Sequence, residues 1–347
     1  MKTPQHLLVF RFSSLGDVAM TVPVLKLLLQ QNPSLQVTMV SNIFMQPLFD
    51  GIDRLHFYPA DLKGRHQGFK GLFRLYRDLK KEFSIDAIAD LHDVLRTKIL
   101  RSFFALSAIR SAVIDKGRKE KKELTRRENK ILTPLKTTFE RYADVFRSLL
   151  LPIVLSPPEI EKKSATLPAD LKKLKEEGYA LIGIAPFAQY AEKTYPPEKM
   201  KGVIRLLLQG GKVKIFLFGG KTEVPVFDQW EHEFPNVKSI AEKMEFEKEL
   251  YWIAGMDVMI SMDSANMHLA SLYGVPVVSI WGATHPYAGF YGWGQKETNA
   301  VQVDLYCRPC SVFGNKPGYR GDLLCMTSIS PVTIYNKVME NLSHDGG

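Results

Sequence analysis

Cysteine is scarce in this chain, with three among 347 residues. Three thiols cannot build a disulfide framework, and an odd count fits a reducing compartment. No stretch reaches the roughly 18 consecutive apolar residues that a membrane-spanning helix requires. The first residues, Met1 to His6, lead into a strand-like run of only about six residues before Arg11, too short for the apolar region of a secretory signal. A cytoplasmic protein is therefore expected. Short-period repeats and low-complexity tracts are absent. So are recognition-helix, zinc-finger and aromatic RNA-binding signatures, which leaves a nucleic-acid partner without support beyond charge.

What is present is an ordinary globular composition, 45% hydrophobic and 24% charged. The length allows two domains, each with its own core. The formal net charge is +9, which favours an anionic partner: a nucleic acid, a nucleotide or an anionic membrane surface. Charge alone does not choose among them.

Strand-like and helix-like segments alternate through the first half. Leu7–Phe12, Gln36–Val40, Ile85–Leu91 and Ser111–Ile114 read as strands; Val18–Gln31, Gly71–Phe83 and Val94–Ala105 carry helical spacing. A proline-rich stretch, Leu150–Pro158, reads as an extended connector. Ser164–Gly178 is charged and partly helical, and opens the second half. There the strands are Tyr179–Ala185, Lys214–Phe218, Val258–Met262 and Val275–Ile280. The helices are Pro197–Gln209, Val224–Phe234, Phe246–Ala254 and Asn266–Tyr273, with a last helix from Pro331 to Leu342. This alternation predicts two doubly wound α/β domains facing each other across a cleft.

The chemistry concentrates where strands end. Arg11-Phe12-Ser13-Ser14-Leu15-Gly16-Asp17 joins the first strand to a helix, and its carboxylate can take a proton from a bound hydroxyl or simply cap the helix. Asp263 and Ser264 sit at the mouth of the helix that carries His268, where free N–H groups and the helix dipole favour an anion. A capping serine and a half-buried histidine would explain the same residues. The loop Trp281–Pro286 repeats the strand-then-small-loop pattern on what should be the adjacent strand. Lys193, in the loop after Ala185, can reach a diphosphate or stay solvated. Glu223, after Gly219-Gly220, can accept hydrogen bonds from ribose hydroxyls or sit in a first helical turn for the dipole.

Taken together and in order, these motifs resemble the ADP-heptose:lipopolysaccharide heptosyltransferases of glycosyltransferase family nine. The likeness rests on Ser13–Asp17 with Pro23, on Lys193 before an aromatic and Pro196, and on Asp263-Ser264 with His268-Leu269-Ala270. It continues through Pro276 to Gly282 with Thr284 and Pro286, and through Cys307-Arg-Pro-Cys310 with Cys325. It covers nearly the whole chain.

The resemblance implies a GT-B fold, two Rossmann-like domains with the active site between them, and inverting transfer from a nucleotide diphosphate sugar to an acceptor hydroxyl. Residues 1–160 would bind the acceptor and 161–330 the nucleotide sugar, with 331–347 a C-terminal helix and tail. Asp17 would be the general base, and Lys193 would meet the diphosphate and sugar. Ser14, Gly16, Ala188, Gln189, Glu223, Met244, Asp263, Ser264, Ala265 and His268 would surround the donor, Glu223 at the ribose and the backbone near Met244 at the adenine. An ADP-sugar donor and an anionic, lipid A-type core acceptor are the implied partners. No cofactor is expected. Peripheral contact with the cytoplasmic face of the inner membrane would go with such an acceptor.

The residues are chemically compatible with that reaction. A nucleotide diphosphate leaves readily, so one carboxylate to deprotonate the acceptor suffices, unlike the pair used in glycoside hydrolysis. A helix N-terminus, Ser264 and Lys193 can stabilise the leaving phosphate. No Asp-X-Asp triplet occurs, so no obvious site for a metal-bridged diphosphate is expected. Ala265 replaces the family's usual glycine, and Ala188 and Gln189 stand where hydroxyl side chains are usual. His285 replaces an acidic or small residue. Another nucleotide sugar therefore stays open as the donor, and a catalytically inactive scaffold is a further rival.

Two other features admit bland readings. Cys307, Cys310 and Cys325 supply only three ligands where a structural zinc site wants four, so buried thiols in an irregular loop are expected. The basic segment Arg96–Lys130 is assigned to the acceptor domain, as a surface for an anionic core or as a solvated loop.

Overall fold

The computed structural model describes residues 3–156 and 167–344, which form two α/β units. The first gathers the described residues of Met1–Gly117 and Lys136–Ser156, the second those of Arg118–Leu135 and Pro157–Gly347. The expected connector Leu150–Pro158 is described only to Ser156. The start of Ser164–Gly178 lies outside the described residues, and a helix spans Ala169–Glu176.

In the first unit β1 (His6–Phe10), β2 (Gln36–Ser41), β3 (Leu55–Pro59), β4 (Ala87–Asp90) and β5 (Arg110–Val113) form one parallel sheet in the order β3-β2-β1-β4-β5. Leu7, Leu8, Val9 and Phe10 of β1 are fully buried, the continuous apolar run of a central strand covered on both faces. The chain winds from β1 outward to β3, then crosses to β4 and β5. The order therefore reverses between β1 and β4, and an open α/β sheet binds ligands outside the carboxyl ends at such a reversal.

The expected single helix Val18–Gln31 is two, Leu15–Ala19 and Thr21–Gln31. Pro23 has no N–H to give to Ala19, so a break at Met20 sacrifices little. The Thr21 hydroxyl donates to Val18 O at 2.7 Å across it. The helix Thr138–Ser148 was not anticipated. Its signals were present in Phe139, Tyr142, Ala143 and Phe146, all buried at helical spacing, and in Thr137, whose hydroxyl accepts from Glu140 N at 3.2 Å.

In the second unit β6 (Ala180–Ala185), β7 (Val213–Leu217), β8 (Val237–Ser239), β9 (Val258–Met262), β10 (Val277–Ile280) and β11 (Ala300–Val301) form a second parallel sheet, ordered β11-β10-β9-β6-β7-β8. Read from the β8 edge this is the doubly wound order, with its reversal between β6 and β9. The short edge strands β8 and β11 escaped sequence reading because three and two residues leave no periodicity to detect. The helix Pro331–His344 packs on Pro197–Gln209, where Gly202 and Gly210 leave room for Pro331 and Tyr335.

The basic segment Arg96–Lys130 is divided rather than a single surface. Residues from Arg118 onward cluster with the second unit. Lys121 is buried, its ammonium 4.3 Å from the centre of the Phe290 ring. Lys130 donates to Cys307 O at 2.7 Å and Pro309 O at 2.9 Å. Neither a single acceptor surface nor a wholly solvated loop describes the segment: these two lysines are structural.

Gly117 closes the first stretch of the first unit with φ +60°, and a Cβ there would lie 2.3 Å from Arg141 Nη2. Arg141 is 4% exposed and held by Lys136 O and Asp115 O. Gly117→Ala should therefore destabilise the first unit by about 1–3 kcal/mol. The check is its midpoint in urea-induced unfolding.

Candidate active site

β1 delivers Arg11 into a turn whose Ser13–Ser14 peptide is cis, and the helix Leu15–Ala19 follows. Arg11 is only 7% exposed, and a buried guanidinium must be paired and hydrogen-bonded. It forms an ion pair with Asp17, and its Nη1 donates to Leu91 O beyond β4 at 2.8 Å. Burial opposes the Arg11 charge, but Tyr142 and Asp17 outweigh it and hold its pKa above the usual value. The Arg11 carbonyl accepts from Oγ of Ser41, the last residue of β2, at 2.7 Å. Arg11 thus ties three neighbouring strand ends together beneath the carboxylate.

Asp17 itself is not the helix cap; Ser14 occupies that position. The Ser14 hydroxyl donates to Asp17 Oδ2 at 2.8 Å, and the Tyr142 hydroxyl donates to the Asp17 carbonyl at 3.1 Å. Burial pushes the Tyr142 phenol far above its normal range, so it stays a donor. His92 is pushed down to about 4 by burial, with Arg11 and Lys116 adding to the shift. It is neutral at pH 7, and its Nδ1 accepts from Phe12 N at 3.3 Å. The Asp17 side chain keeps 27% exposure. The result is a fixed carboxylate beside a fixed cation, open to solvent at the sheet's reversal.

The second unit builds its site at its own reversal. The loop after β6 carries Lys193, and the loop after β9 carries Asp263. Lys193 Nζ lies 3.0 Å from Asp263 Oδ2, with the two side chains 15% and 7% exposed. A buried ion pair is weak evidence for stability, because desolvation offsets most of the attraction. Its position is informative instead: it ties the two loops that flank the crevice.

Ser264 caps the helix Ala265–Leu272, but its side chain makes no capping hydrogen bond and lies 3.2 Å from Ser261 Oγ. The N–H groups of the first turn, with the helix dipole, face the same mouth as Asp263. Ala265 opens that turn, and His268 is buried one turn further at 6% exposure.

The remaining candidates lie on neighbouring loops of the second unit. Ala188 N donates to Thr194 Oγ1 at 3.4 Å, so a hydroxyl does stand in this loop although Ala188 and Gln189 lack one. Glu223 caps the helix Val224–Glu233, and its Oε2 accepts from Gly220 N at 2.6 Å. The glycine at 219 is required there, since a Cβ would lie 2.8 Å from the Phe227 ring. Met244 is half-buried just before the helix Phe246–Ala254. Ser14 and Gly16 belong to the first unit with Asp17. There the Ser14 hydroxyl is taken up by Asp17, and Gly16 is buried in the helix Leu15–Ala19.

A model of "Glycosyltransferase family 9 (heptosyltransferase)" matches residues 72–317. The chain belongs to glycosyltransferase family 9. Among its relatives, lipopolysaccharide heptosyltransferase 1 of Campylobacter coli is 23% identical over 85% of this chain and 92% of the relative. The lipopolysaccharide core heptosyltransferase OpsX of Haemophilus influenzae is also 23% identical, over 82% and 81%. A solved family 9 glycosyltransferase from Veillonella parvula superposes with TM-score 0.74 at 18% identity, covering 99% of both chains. The E. coli heptosyltransferase WaaC, solved with ADP, superposes with TM-score 0.67 at 19% identity over 97% and 99%. The fold of this family 9 enzyme is thus GT-B, with two Rossmann-like units, as the sequence motifs imply.

Sequence reasoning missed the parts that hold Lys193. Gly314, at φ +74°, lies against its stem, and a Cβ there would sit 2.4 Å from Lys193 Cγ. Ala283 N donates to Glu192 O at 3.3 Å, and buried Arg308 donates to Gly282 O and, at 2.9 Å, to Thr284 O. Cys307, Cys310 and Cys325 are free, buried thiols around this arginine. Burial raises the pKa of Cys310 and pushes that of Cys325 up to about 11, which keeps both protonated at neutral pH. The segment that carries Arg308 and Gly314 is therefore a brace for the Lys193 loop. Gly314→Ala should displace the lysine stem, cost about 1–3 kcal/mol and reduce transfer. Parallel thermal denaturation and initial-rate measurements check both effects.

Proposed function

We propose that this family 9 glycosyltransferase moves a heptose from ADP-heptose to a hydroxyl of an anionic lipopolysaccharide core, with inversion at the sugar carbon. The observation that carries the reading is the buried Lys193–Asp263 pair across the β6/β9 reversal. It places a cation beside a helix N-terminus, the combination that receives a diphosphate. In the reaction Lys193 and the first-turn N–H groups of Ala265–Leu272 would take the negative charge that grows on the leaving ADP. Asp17, paired with Arg11, would accept the proton of the acceptor hydroxyl as that oxygen attacks. Glu223 is suited to the ribose and the backbone near Met244 to the adenine. The names of the curated relatives support heptose and a lipopolysaccharide acceptor, and ADP accompanies the E. coli neighbour. A net charge of +9 suits an anionic acceptor and work at the cytoplasmic face of the membrane that carries it. Among the described residues, no helix is long and apolar enough to cross a membrane.

Asp17→Asn keeps the shape of the side chain and its contact with Ser14 but cannot take a proton. Transfer should fall by about 10²–10⁴-fold while folding and ADP binding persist. Initial rates on an ADP-heptose donor decide this, and a rate near wild type would remove Asp17 as the base.

The donor is tested by thermal shift with ADP, UDP, GDP and CMP, with and without divalent metal. ADP should stabilise the protein most, and Lys193→Ala should reduce that shift and slow turnover together. Equal stabilisation by UDP would point to another nucleotide sugar.

A further inference from the structure

The first unit carries a surface from which the proposed transfer draws none of its named residues. In the helix Gly68–Glu82, the residues Gly71, Leu72, Leu75 and Leu79 are buried. At about 100° per residue the rest of the helix divides into stripes. Phe69, Phe73, Tyr76 and Lys80 follow one flank, and Lys70, Arg74, Arg77 and Lys81 form the outward row. Phe69 is 65% exposed and Phe73 44%. They are held in place, because Phe103 of the neighbouring helix Leu95–Ala105 meets each ring edge-on at 5.4 Å. Leu106, at the end of that helix, is 87% exposed.

The acids of the helix lie on the opposite flank and are engaged there. Asp78 pairs with Arg65 at 2.6 Å and Glu82 lies 3.7 Å from His56. The outward row of cations therefore keeps its field. A rigid aromatic edge beside such a row does not suit a second copy of the same face, which would set cations against cations. It suits the boundary between acyl chains and anionic headgroups, where aromatic rings and basic side chains partition together.

We propose that this face docks on an anionic lipid surface, Phe69 and Phe73 entering the acyl boundary while Lys70, Arg74, Arg77 and Lys81 meet phosphate headgroups. The docking gives the membrane contact named above a location, so it deepens that reading, and it is tested without any transfer assay.

The full chain is floated with vesicles of phosphatidylcholine alone or with about one third phosphatidylglycerol. Binding should be confined to the anionic vesicles and weaken as salt rises. F69S/F73S and K70E/R74E/R77E should each lower the bound fraction by about tenfold. Circular dichroism should show both variants folded, since all five side chains are exposed, and F69S/F73S should keep its rate on a soluble acceptor. Three results would overturn the proposal: wild type that ignores both vesicle types, folded variants that bind as wild type does, or a wild-type dimer in sedimentation equilibrium that F69S/F73S abolishes.

Discussion

The ion pair between Lys193 and Asp263 is the constraint around which the second unit is arranged. Lysine and aspartate at this depth lose most of their hydration, and breaking such a pair by removing one partner costs about 3–5 kcal/mol. The fold surrounds it accordingly. Asp263 is fixed by β9, whose residues pair with β6 from Val258 to Ser261. Lys193 is fixed by Gly314 behind its stem and by the Glu192–Ala283 hydrogen bond. Arg308 then locks the loop after β10 by donating to carbonyls rather than to a carboxylate. Burial lowers the pKa of this arginine, but so strong a base stays charged at neutral pH. A charged group is spent on backbone geometry so that another charged group has one position.

The first unit solves a related problem with the roles of the charges exchanged. Here the arginine is buried and the carboxylate reaches solvent. Arg11 is held by strand ends on both sides, so Asp17 is oriented from beneath rather than by its own helix. A carboxylate held this way keeps one orientation without relying on its own helix, which is what preorganisation means in physical terms. Both units put an ion pair at the same topological point, the reversal of strand order, so the placement of these charges follows from sheet topology before any single side chain is considered.

How much of this could be read beforehand depends on the range of the interaction. The central strands were legible because β1 and β9 are short, apolar and followed by small or charged residues. The helices Pro197–Gln209 and Phe246–Ala254 were legible to the residue because proline or glycine marks an end of each. Asp17, Lys193 and Asp263 stood out as charges at strand ends. The residues that hold them in place did not. Nothing within a few residues of Lys193 points to Gly314, and nothing near Asp17 points to Tyr142, since these contacts close over more than a hundred residues. Arg11 was not singled out either, although it stands only six residues before the carboxylate it pairs with.

The same distinction governs the net positive charge. Counted as one pool it pointed equally to nucleic acid, nucleotide and membrane. Sorted by position it divides into unlike groups. Arg308, Lys130 and Arg141 donate to backbone carbonyls and serve the packing of the units. Arg11 and Lys193 are paired with the carboxylates of Asp17 and Asp263. Lys70, Arg74, Arg77 and Lys81 remain on the outside of one helix, beside exposed phenylalanines and away from its acids. A partner responds to the local field within about a Debye length, roughly 8 Å at physiological salt. Exposed groups such as this last one set that field, and the composition of the whole chain misleads wherever buried cations are counted with them.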